Sequence, residues 1–256
     1  MKKLIALSAV VAMCLIGTSL ADALKVVSYN IHHAQGMDGK LDLGRIANVM
    51  SKYQPDFIAL QEVDQRVSRS GKVDQASELA KQLGMTPVFG KCIDLGGGAY
   101  GNAVLSKHPV VETKVHRLPG KGEQRVALEV IAEVQGRKLS FVSVHLDHQS
   151  EATRLEQVAA LQRILSEQKH PVMVMGDLNA QPGSETMKQL AGSWKVVAKQ
   201  GSALTYPANQ PKIEIDYLLL AGWDEEQANK VILKVGDEAQ ASDHRPLFGE
   251  VPWKKE

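Results

Sequence analysis

Aromatic residues and cysteines are scarce in this chain of 256 residues. Phe, Trp and Tyr together make up 5 % of it, and its two cysteines are Cys14 and Cys92. The low aromatic content disfavours an extended aromatic hairpin of the kind that inserts into membranes. If the N-terminal segment is removed, Cys92 has no partner for an internal disulfide, and we expect it to be a small buried apolar residue.

Several catalytic motifs are also absent. The sequence contains no G-x-S-x-G, no G-x-x-x-x-G-K-[ST] and no G-x-G-x-x-G between a predicted strand and a helix, so it gives no support to a serine hydrolase or a nucleotide-binding enzyme. Zinc is disfavoured, because there is no H-E-x-x-H and the remaining thiol is poorly placed. The glycine-rich stretch "DLGGGAYGN", residues 94–102, predicts either a hairpin loop or a rim loop that admits substrate.

The chain also has no large excess of charge of one sign. The 30 Lys and Arg residues nearly balance the 29 Asp and Glu residues, which gives a formal net charge of +1. A near-neutral chain has no global field that attracts a polyanion, so strong non-specific binding of nucleic acid is not indicated. Local basic patches could still bind one.

Residues 1–23 have the three parts of a secretory signal peptide. Lys2 and Lys3 precede an apolar run over residues 4–16, and the small-x-small sequence "ADA" follows at residues 21–23. The apolar run is shorter than the roughly 20 residues of a membrane span. We therefore expect cleavage after residue 23 and export to the periplasm or the medium.

The N-terminus admits two other interpretations. A retained N-terminal anchor is one alternative, and a lipoprotein cut before Cys14 is disfavoured because Met13 is bulky. No other segment is long and apolar enough to span a bilayer, so we expect no stable membrane span after cleavage. The mature chain, residues 24–256, has the length of one large domain with a full core.

Apolar runs of strand length alternate with segments of helical periodicity along the mature chain. Helices are predicted over residues 43–53, 74–84, 150–168 and 184–192. Strands are predicted over residues 24–31, 56–63, 86–93, 101–106, 110–118, 125–134, 138–146, 171–178, 213–221, 230–235 and 244–251. Since the helices fall between strands in both halves, we predict an α/β or α+β fold in which two sheets pack face to face with helices outside.

Polar side chains suited to catalysis lie at the margins of these strands. The set is Asn30, Glu62, His145, Asp177, Asn179, Asp216, Asp243 and His244. A lone Asp at a strand end is usually a turn or a helix cap. Buried acids, amides and imidazoles are costly, however, unless they are paired or bind a metal. Their repetition therefore predicts that the strand ends meet at one rim and form a site there.

The residue types in this set favour hydrolysis of a phosphate ester. The oxygen donors Asn30, Glu62 and Asp243 are hard ligands that suit Mg²⁺, with Mn²⁺ or Ca²⁺ as alternatives. A hard metal, a histidine that donates to an oxyanion and an Asp that orients water suit this reaction. His32 and His33 would point to opposite faces of a strand, whereas a loop would let both approach the site.

Seven short motifs, "SYNIHH", "LQEVD", "GNAVLSKHP", "VHLDHQS", "GDLNAQP", "IDYLLL" and "SDHRPL", occur in an order that resembles the endonuclease/exonuclease/phosphatase superfamily. Each motif is weak alone, but together they form a match that covers essentially residues 24–250. The resemblance implies a four-layer α/β/β/α sandwich, in which helices flank two mixed sheets and the active site lies at one rim.

The resemblance also implies roles for single residues. Asn30 and Glu62 would hold the divalent metal, with Glu62 as the principal ligand, and Asp243 would contact it directly or through water. Asp177 would orient or deprotonate the attacking water, and which residue is the base stays open. Asn179 would hydrogen-bond a phosphate oxygen.

Two histidines would face the phosphate. His145 would contact the scissile phosphate. Asp216 would hold the His244 ring by a hydrogen bond that fixes its tautomer, so that the other ring nitrogen faces the phosphate. Arg245 is expected to point away from the site and to pair at the surface.

Substrate contacts are predicted for Arg125, Tyr100 and Asn102. Arg125 would reach a substrate phosphate or pair with Glu123. His148 would line the rim or belong to the loop that enters a helix.

The sequence leaves the substrate open. A compact, neutral chain without basic substrate-reading segments disfavours an inositide 5-phosphatase and an apurinic endonuclease. We expect a secreted, monomeric phosphodiesterase of a lipid or a small-molecule phosphodiester. The alternatives are a secreted nuclease of DNA or RNA and a catalytically inactive binding module of the same fold. No metal-binding or His–Asp position of the motifs has been lost, which favours the enzyme.

Overall fold

The computed structural model describes residues 23–253, in which strands and helices alternate. The strands are β1 (Ala23–Asn30), β2 (Phe57–Gln65), β3 (Thr86–Leu95), β4 (Gly98–Ser106), β5 (Val110–Arg117), β6 (Val126–Val134), β7 (Arg137–His145), β8 (Val172–Asp177), β9 (Lys195–Val196), β10 (Asp216–Ala221), β11 (Ile232–Val235) and β12 (Leu247–Pro252). The helices are α1 (Leu43–Ser51), α2 (Gln75–Leu83), α3 (Glu151–Leu165), α4 (Glu185–Ala191) and α5 (Glu225–Asn229).

All the helices and strands that the sequence predicts are present, with ends shifted by a few residues. Ser150 caps α3 by accepting a hydrogen bond from the Thr153 amide, and Gly84 ends α2 in the left-handed conformation that glycine adopts without strain. The two-residue strand β9 and the short helix α5 were not predicted, because neither is long enough to produce a periodic apolar pattern.

The N-terminal prediction falls almost wholly on residues 1–22, which lie outside the described residues. Cleavage after residue 23 therefore stays a prediction. Within residues 23–253, each helix is too short or too polar to cross a membrane.

The strands form two mixed sheets of six strands each. The first has the order β11-β12-β1-β2-β4-β3, and the second has the order β5-β6-β7-β8-β10-β9. An apolar layer fills the space between the sheets, where the rings of Phe57 and Phe141 stack with centroids 5.0 Å apart. Helices α1 and α2 cover the outer face of the first sheet, and α3 and α4 cover that of the second. The predicted four-layer α/β/β/α sandwich is confirmed.

Each sheet contains one parallel pair of strands joined by a helix. In the first sheet β1 runs parallel to β2 across α1, and in the second β7 runs parallel to β8 across α3. The carboxyl ends of parallel neighbours lie at the same edge of a sheet. This topology brings together the last residues of β1, β7 and β8, which are Asn30, His145 and Asp177.

The end of β2 departs from regular geometry where Glu62 lies. A bulge shifts the register between Leu60 and Val63, and Glu62 has a left-handed φ of 59°. Such a conformation is strained for a residue with a side chain, and bulges redirect side chains next to functional sites. The bulge places Glu62 among the residues that line the rim cavity.

Gly176 permits a close approach between β7 and β8 directly before Asp177. Its φ is 155°, and a Cβ at this position would lie 1.8 Å from the carbonyl oxygen of Val144. Only glycine fits such a space. Asp177 is thereby held in register beside His145.

Candidate active site

His244 is the centre of a buried hydrogen-bonded cluster at the rim. Its Nδ1 lies 3.0 Å from Oδ2 of Asp216, the first residue of β10. A carboxylate accepts only, so Nδ1 carries the proton and Nε2 faces the other way. Both side chains are at least 95 % buried, and the predicted His–Asp pair is therefore present in the structure.

Asp177 lies between the two histidines. Its Oδ2 is 3.6 Å from Nε2 of His244 and 3.5 Å from Nε2 of His145. Its Oδ1 accepts a hydrogen bond from the backbone amide of Asn179, which has a left-handed φ of 49°. The Asn179 side chain donates to the carbonyl of Leu146. The structure thus brings all four of these predicted residues together.

Asn30 joins the cluster from the first sheet. Its Nδ2 donates to Oε1 of Glu62 at 3.0 Å and to Oδ2 of Asp177 at 3.2 Å, and lies 3.5 Å from Nε2 of His244. Its Oδ1 accepts from the backbone amide of His32. The amide therefore presents its NH₂ group to the carboxylates, and a metal–oxygen bond from Asn30 would require the side chain to turn.

The two histidines have opposite pKa shifts. Burial lowers the pKa of His145 well below its ordinary value, and the nearby charges of Arg125 and His244 lower it further. Burial also opposes a charge on His244, but the carboxylates of Asp216 and Asp177 outweigh it and raise the pKa of His244 well above the ordinary value. The shifts thus favour the uncharged form of His145 and the protonated form of His244.

Burial also raises the pKa of Asp177, and the neighbouring carboxylate of Asp216 raises it further. His244 and the hydrogen bonds from Asn179 and Asn30 act in the opposite direction. A carboxylate with a raised pKa is a better proton acceptor than an ordinary one, which fits a residue that orients or deprotonates water.

A cavity of about 590 Å³ opens above the cluster. Glu62, Asp177 and Asp243 line one part of it, and an apolar part is formed by Tyr206, Ile213 and Ile215. Other polar side chains of its lining are those of Glu123, Arg125, His148, Glu151 and Arg154. Its volume is in the range of pockets that bind small molecules.

The acidic part of the cavity fits a hard divalent cation. Glu62, Asp177 and Asp243 offer carboxylate oxygens to the same space, which is the donor chemistry that Mg²⁺ and Ca²⁺ prefer. The pKa of the Tyr206 hydroxyl is raised by burial and then by Asp243, Glu62 and Asp177, which reflects how closely these carboxylates converge. The predicted ligands Glu62 and Asp243 therefore suit a metal.

Two of the three residues predicted to contact the substrate lie at the cavity, and the third lies between the sheets. Arg125 and Tyr100 line the cavity, but Asn102 is buried and donates to the carbonyls of Val126 and Ser143. Asn102 thus connects the first sheet to the second, and it is not among the residues that line the cavity. The glycine-rich stretch before it is the turn of the β3–β4 hairpin.

Arg125 pairs with Glu123 and also lines the cavity, and its contact with a substrate phosphate stays a prediction. Its Nη1 lies 3.2 Å from Oε1 of Glu123, and its Nη2 lies 3.1 Å from Nδ1 of His148, at the cavity. Since a guanidinium only donates, His148 accepts at Nδ1. Arg245, by contrast, donates to the carbonyl of Ala208 and pairs with the exposed Asp237, as predicted.

Sequence reasoning missed two parts of the site. The Tyr206 ring lies 4.9 Å from the His244 ring, and Arg154 reaches the cavity from α3. Of the two alternatives stated for His32 and His33, the structure has the loop that lets both approach the site, where they lie near Glu62. Tyr206 stands in the motif "LTYPANQ", which could have marked it. Arg154 could have been placed by its position one turn into α3, but no pattern gives its distance from His244.

The comparisons with known proteins agree with this geometry. A family model described as "Endonuclease/Exonuclease/phosphatase family" matches residues 27–244. A search of curated proteins found no match.

Solved structures share the fold at low sequence identity. A functionally unknown conserved protein from Enterococcus faecalis V583 is 22 % identical with a TM-score of 0.75, over 90 % of this chain and 100 % of that chain. A mannosyl-6-phosphatase from Bacteroides thetaiotaomicron VPI-5482 is 18 % identical with a TM-score of 0.71, over 89 % of this chain and 99 % of that chain. Truncated TDP2 from Caenorhabditis elegans is 19 % identical with a TM-score of 0.66, over 90 % of this chain and 97 % of that chain. With the family model covering most of its length, the chain belongs to the endonuclease/exonuclease/phosphatase family.

Proposed function

We propose that this member of a family of phosphoric-ester hydrolases is an exported, metal-dependent phosphodiesterase of a lipid or small-molecule phosphodiester. The observation that carries the proposal is the buried chain Asp216–His244–Asp177, which lies beside the carboxylate-lined part of the cavity. Groups with such strongly shifted pKa values in a cleft are typical of catalytic sites.

Glu62 and Asp243 would hold the divalent cation, with Asn30 as a further ligand after rotation of its amide. The cation, Mg²⁺ by preference, would supply positive charge to phosphate oxygens. His244 would donate from Nε2 to a phosphate or leaving-group oxygen, while Asp216 keeps Nδ1 protonated. Asp177 would orient and deprotonate water, and neutral His145 would hydrogen-bond the phosphate.

The dimensions and lining of the cavity support a small substrate. A cavity of about 590 Å³ with an apolar part formed by Tyr206, Ile213 and Ile215 suits a headgroup or a small molecule better than a polymer. The formal net charge of +1 gives no general attraction for nucleic acid. A nuclease remains the alternative and is tested directly below.

A phosphomonoesterase is a second candidate, because one structural relative is described as a mannosyl-6-phosphatase. Arg125 and Arg154 line the cavity and would balance the second negative charge of a monoester. Hydrolysis of p-nitrophenyl phosphate and of bis(p-nitrophenyl) phosphate separates the two activities. A phosphodiesterase should have the higher kcat/KM on bis(p-nitrophenyl) phosphate, and a phosphomonoesterase should have the higher kcat/KM on p-nitrophenyl phosphate.

Export is part of the same proposal and rests on the three-part layout of residues 1–23. Fractionation of cells that express residues 1–256 should give a periplasmic or medium product of residues 24–256, identified by intact mass. A product that keeps residues 1–23 would contradict cleavage.

The hydrolase assay uses the mature chain with Mg²⁺ or Mn²⁺, with and without a chelator, on the two chromogenic esters. The His244→Ala variant should lose at least roughly 100-fold in rate, because general acid–base catalysis contributes about 10²–10⁴-fold. His108→Ala is the matched control, since His108 pairs with Asp56 away from the cavity. Metal-independent turnover, or equal turnover in His244→Ala, would refute the proposal. Plasmid DNA, RNA, sphingomyelin and phosphoinositides then identify the substrate class.

A further inference from the structure

We infer that His32, His33 and Glu62 form a second metal site, for a borderline transition metal such as Zn²⁺, Mn²⁺ or Co²⁺. One ligand atom of each residue lies within 4.8 Å of the other two. Two imidazoles with one carboxylate form a donor set that such ions prefer, whereas Mg²⁺ prefers oxygen ligands. This site goes beyond the proposed hydrolysis and shares only Glu62 with it.

The backbone is folded to bring two adjacent histidines to the same side. His32, His33 and Ala34 have consecutive left-handed φ values of 44°, 43° and 65°, in place of the alternating conformation that would separate the two rings. The rings meet edge to face, with centroids 4.6 Å apart. Non-glycine residues adopt this region at a cost, so three in succession require that the surroundings hold them there.

The surroundings do hold this turn. The backbone amide of His32 donates to Oδ1 of Asn30 at 3.1 Å. The carbonyl of His33 accepts from Nε2 of Gln75, a buried residue of α2, at 2.7 Å. The strained turn is thus fixed from both the site and the helix layer, as expected for preorganised ligands.

Hydrogen bonding leaves nitrogen lone pairs for a ligand. Nδ1 of His32 lies 3.2 Å from the carbonyl oxygen of Gln35, which only accepts, so Nδ1 donates and Nε2 is the nitrogen that can offer a lone pair to a metal. Histidines that bind metals usually donate their other N–H in this way. His33 is 9 % exposed, and its Nδ1 is buried without a hydrogen-bond partner.

The local charge favours a cation over an anion. A cavity of about 210 Å³ beside the histidines is lined by Glu62, Glu123 and Arg69 among others. The guanidinium of Arg69 is held by two hydrogen bonds to Asp64, at 2.9 and 2.8 Å, so its charge is already compensated. Glu62 accepts from Asn30 at Oε1, which leaves Oε2 for a second interaction.

Binding of Co²⁺ tests the site without any substrate. The chelator-stripped mature chain is titrated with Co²⁺ in a large excess of Mg²⁺, which occupies the oxygen-ligand site, and the d–d absorption and bound cobalt are measured. We expect one equivalent of Co²⁺ that Mg²⁺ does not displace. His32→Asn and His33→Asn should each weaken it at least tenfold, since asparagine tolerates the left-handed conformation but lacks the imidazole.

Matched controls separate this site from the other candidates. His108→Asn and Cys92→Ser should keep the absorption, because both residues lie outside the cluster. In the wild-type chain, Zn²⁺ should shift the ring ¹⁵N signals of His32 and His33 among the 8 histidines. Shifts confined to His145 or His244, or unchanged Co²⁺ binding in both asparagine variants, would overturn the inference. Since no turnover is measured, loss of the hydrolase proposal would leave this result intact.

Discussion

Replacing Asp216 with asparagine tests how the site controls His244. The carboxylate lies 3.0 Å from Nδ1 and is, with Asp177 and Asp243, one of the three groups that raise the pKa of His244 against the effect of burial. Asparagine keeps the size of the side chain but removes the charge. It also allows an amide orientation in which an NH₂ group faces Nδ1, which stabilises the wrong tautomer.

We expect Asp216→Asn to lower kcat by roughly 100-fold or more, which corresponds to about 2.7 kcal/mol of lost transition-state stabilisation. KM should change little, because Asp216 is not among the residues that line the cavity. The pH profile should also shift. Asp216 raises the pKa of His244, so without it the protonated ring is lost at a lower pH, and the basic limb of kcat should move to lower pH.

The assay is the pH dependence of bis(p-nitrophenyl) phosphate hydrolysis at saturating metal. Asp237→Asn is the matched control, because Asp237 is 95 % exposed and pairs with Arg245 at the surface. A double variant, Asp216→Asn with His244→Gln, should be no slower than His244→Gln alone if Asp216 acts only through His244. A kcat within threefold of wild type, or fully multiplicative losses in the double variant, would refute the reasoning.

Three further predictions concern other parts of the molecule. Glu62→Gln should raise the Mg²⁺ concentration for half-maximal activity at least tenfold, about 1.4 kcal/mol; an unchanged metal titration would remove Glu62 from the metal site. Burial raises the pKa of the Cys92 thiol to about 11. At pH 8 a disulfide reagent should therefore modify Cys92 at least 100-fold more slowly in the folded chain than in the urea-unfolded chain. Equal rates would contradict the burial of this thiol. Phe141→Ala should lower the free energy of unfolding in urea by roughly 3–5 kcal/mol, whereas the exposed Val115→Ala should change it little; similar losses would contradict the packing between the sheets.

The rim of the sandwich could be predicted from sequence because its residues follow apolar runs that end together. Asn30, His145 and Asp177 each close a strand of a parallel pair, and parallel strand ends meet at one edge. The pairing of Asp216 with His244, 28 positions apart, came instead from the order of the motifs. Periodicity alone could not have placed β10 beside β8.

Other parts of the site depend on backbone geometry that no sequence pattern encodes. The adjacent His32 and His33 would diverge on a strand, and only three left-handed residues in succession bring their rings together. The bulge that turns Glu62 into the cavity is equally local. Asn102 occurs in one of the motifs of the family, yet its amide joins the two sheets by hydrogen bonds. The sequence could not show this, because the distance between the sheets depends on how the core packs.

The opposite pKa shifts of the two histidines support the different roles that we propose for them. Both lie within 3.6 Å of the same oxygen of Asp177, yet burial and Arg125 lower the pKa of His145, whereas Asp216 and Asp177 raise the pKa of His244. Pairs of similar groups whose surroundings push their pKa values apart identify the acid and its partner. These directions favour His244 as the proton donor of the proposed reaction and His145 as an uncharged hydrogen-bonding partner. The asymmetry is built into the second sheet, because Arg125 directly precedes β6 and Asp216 begins β10.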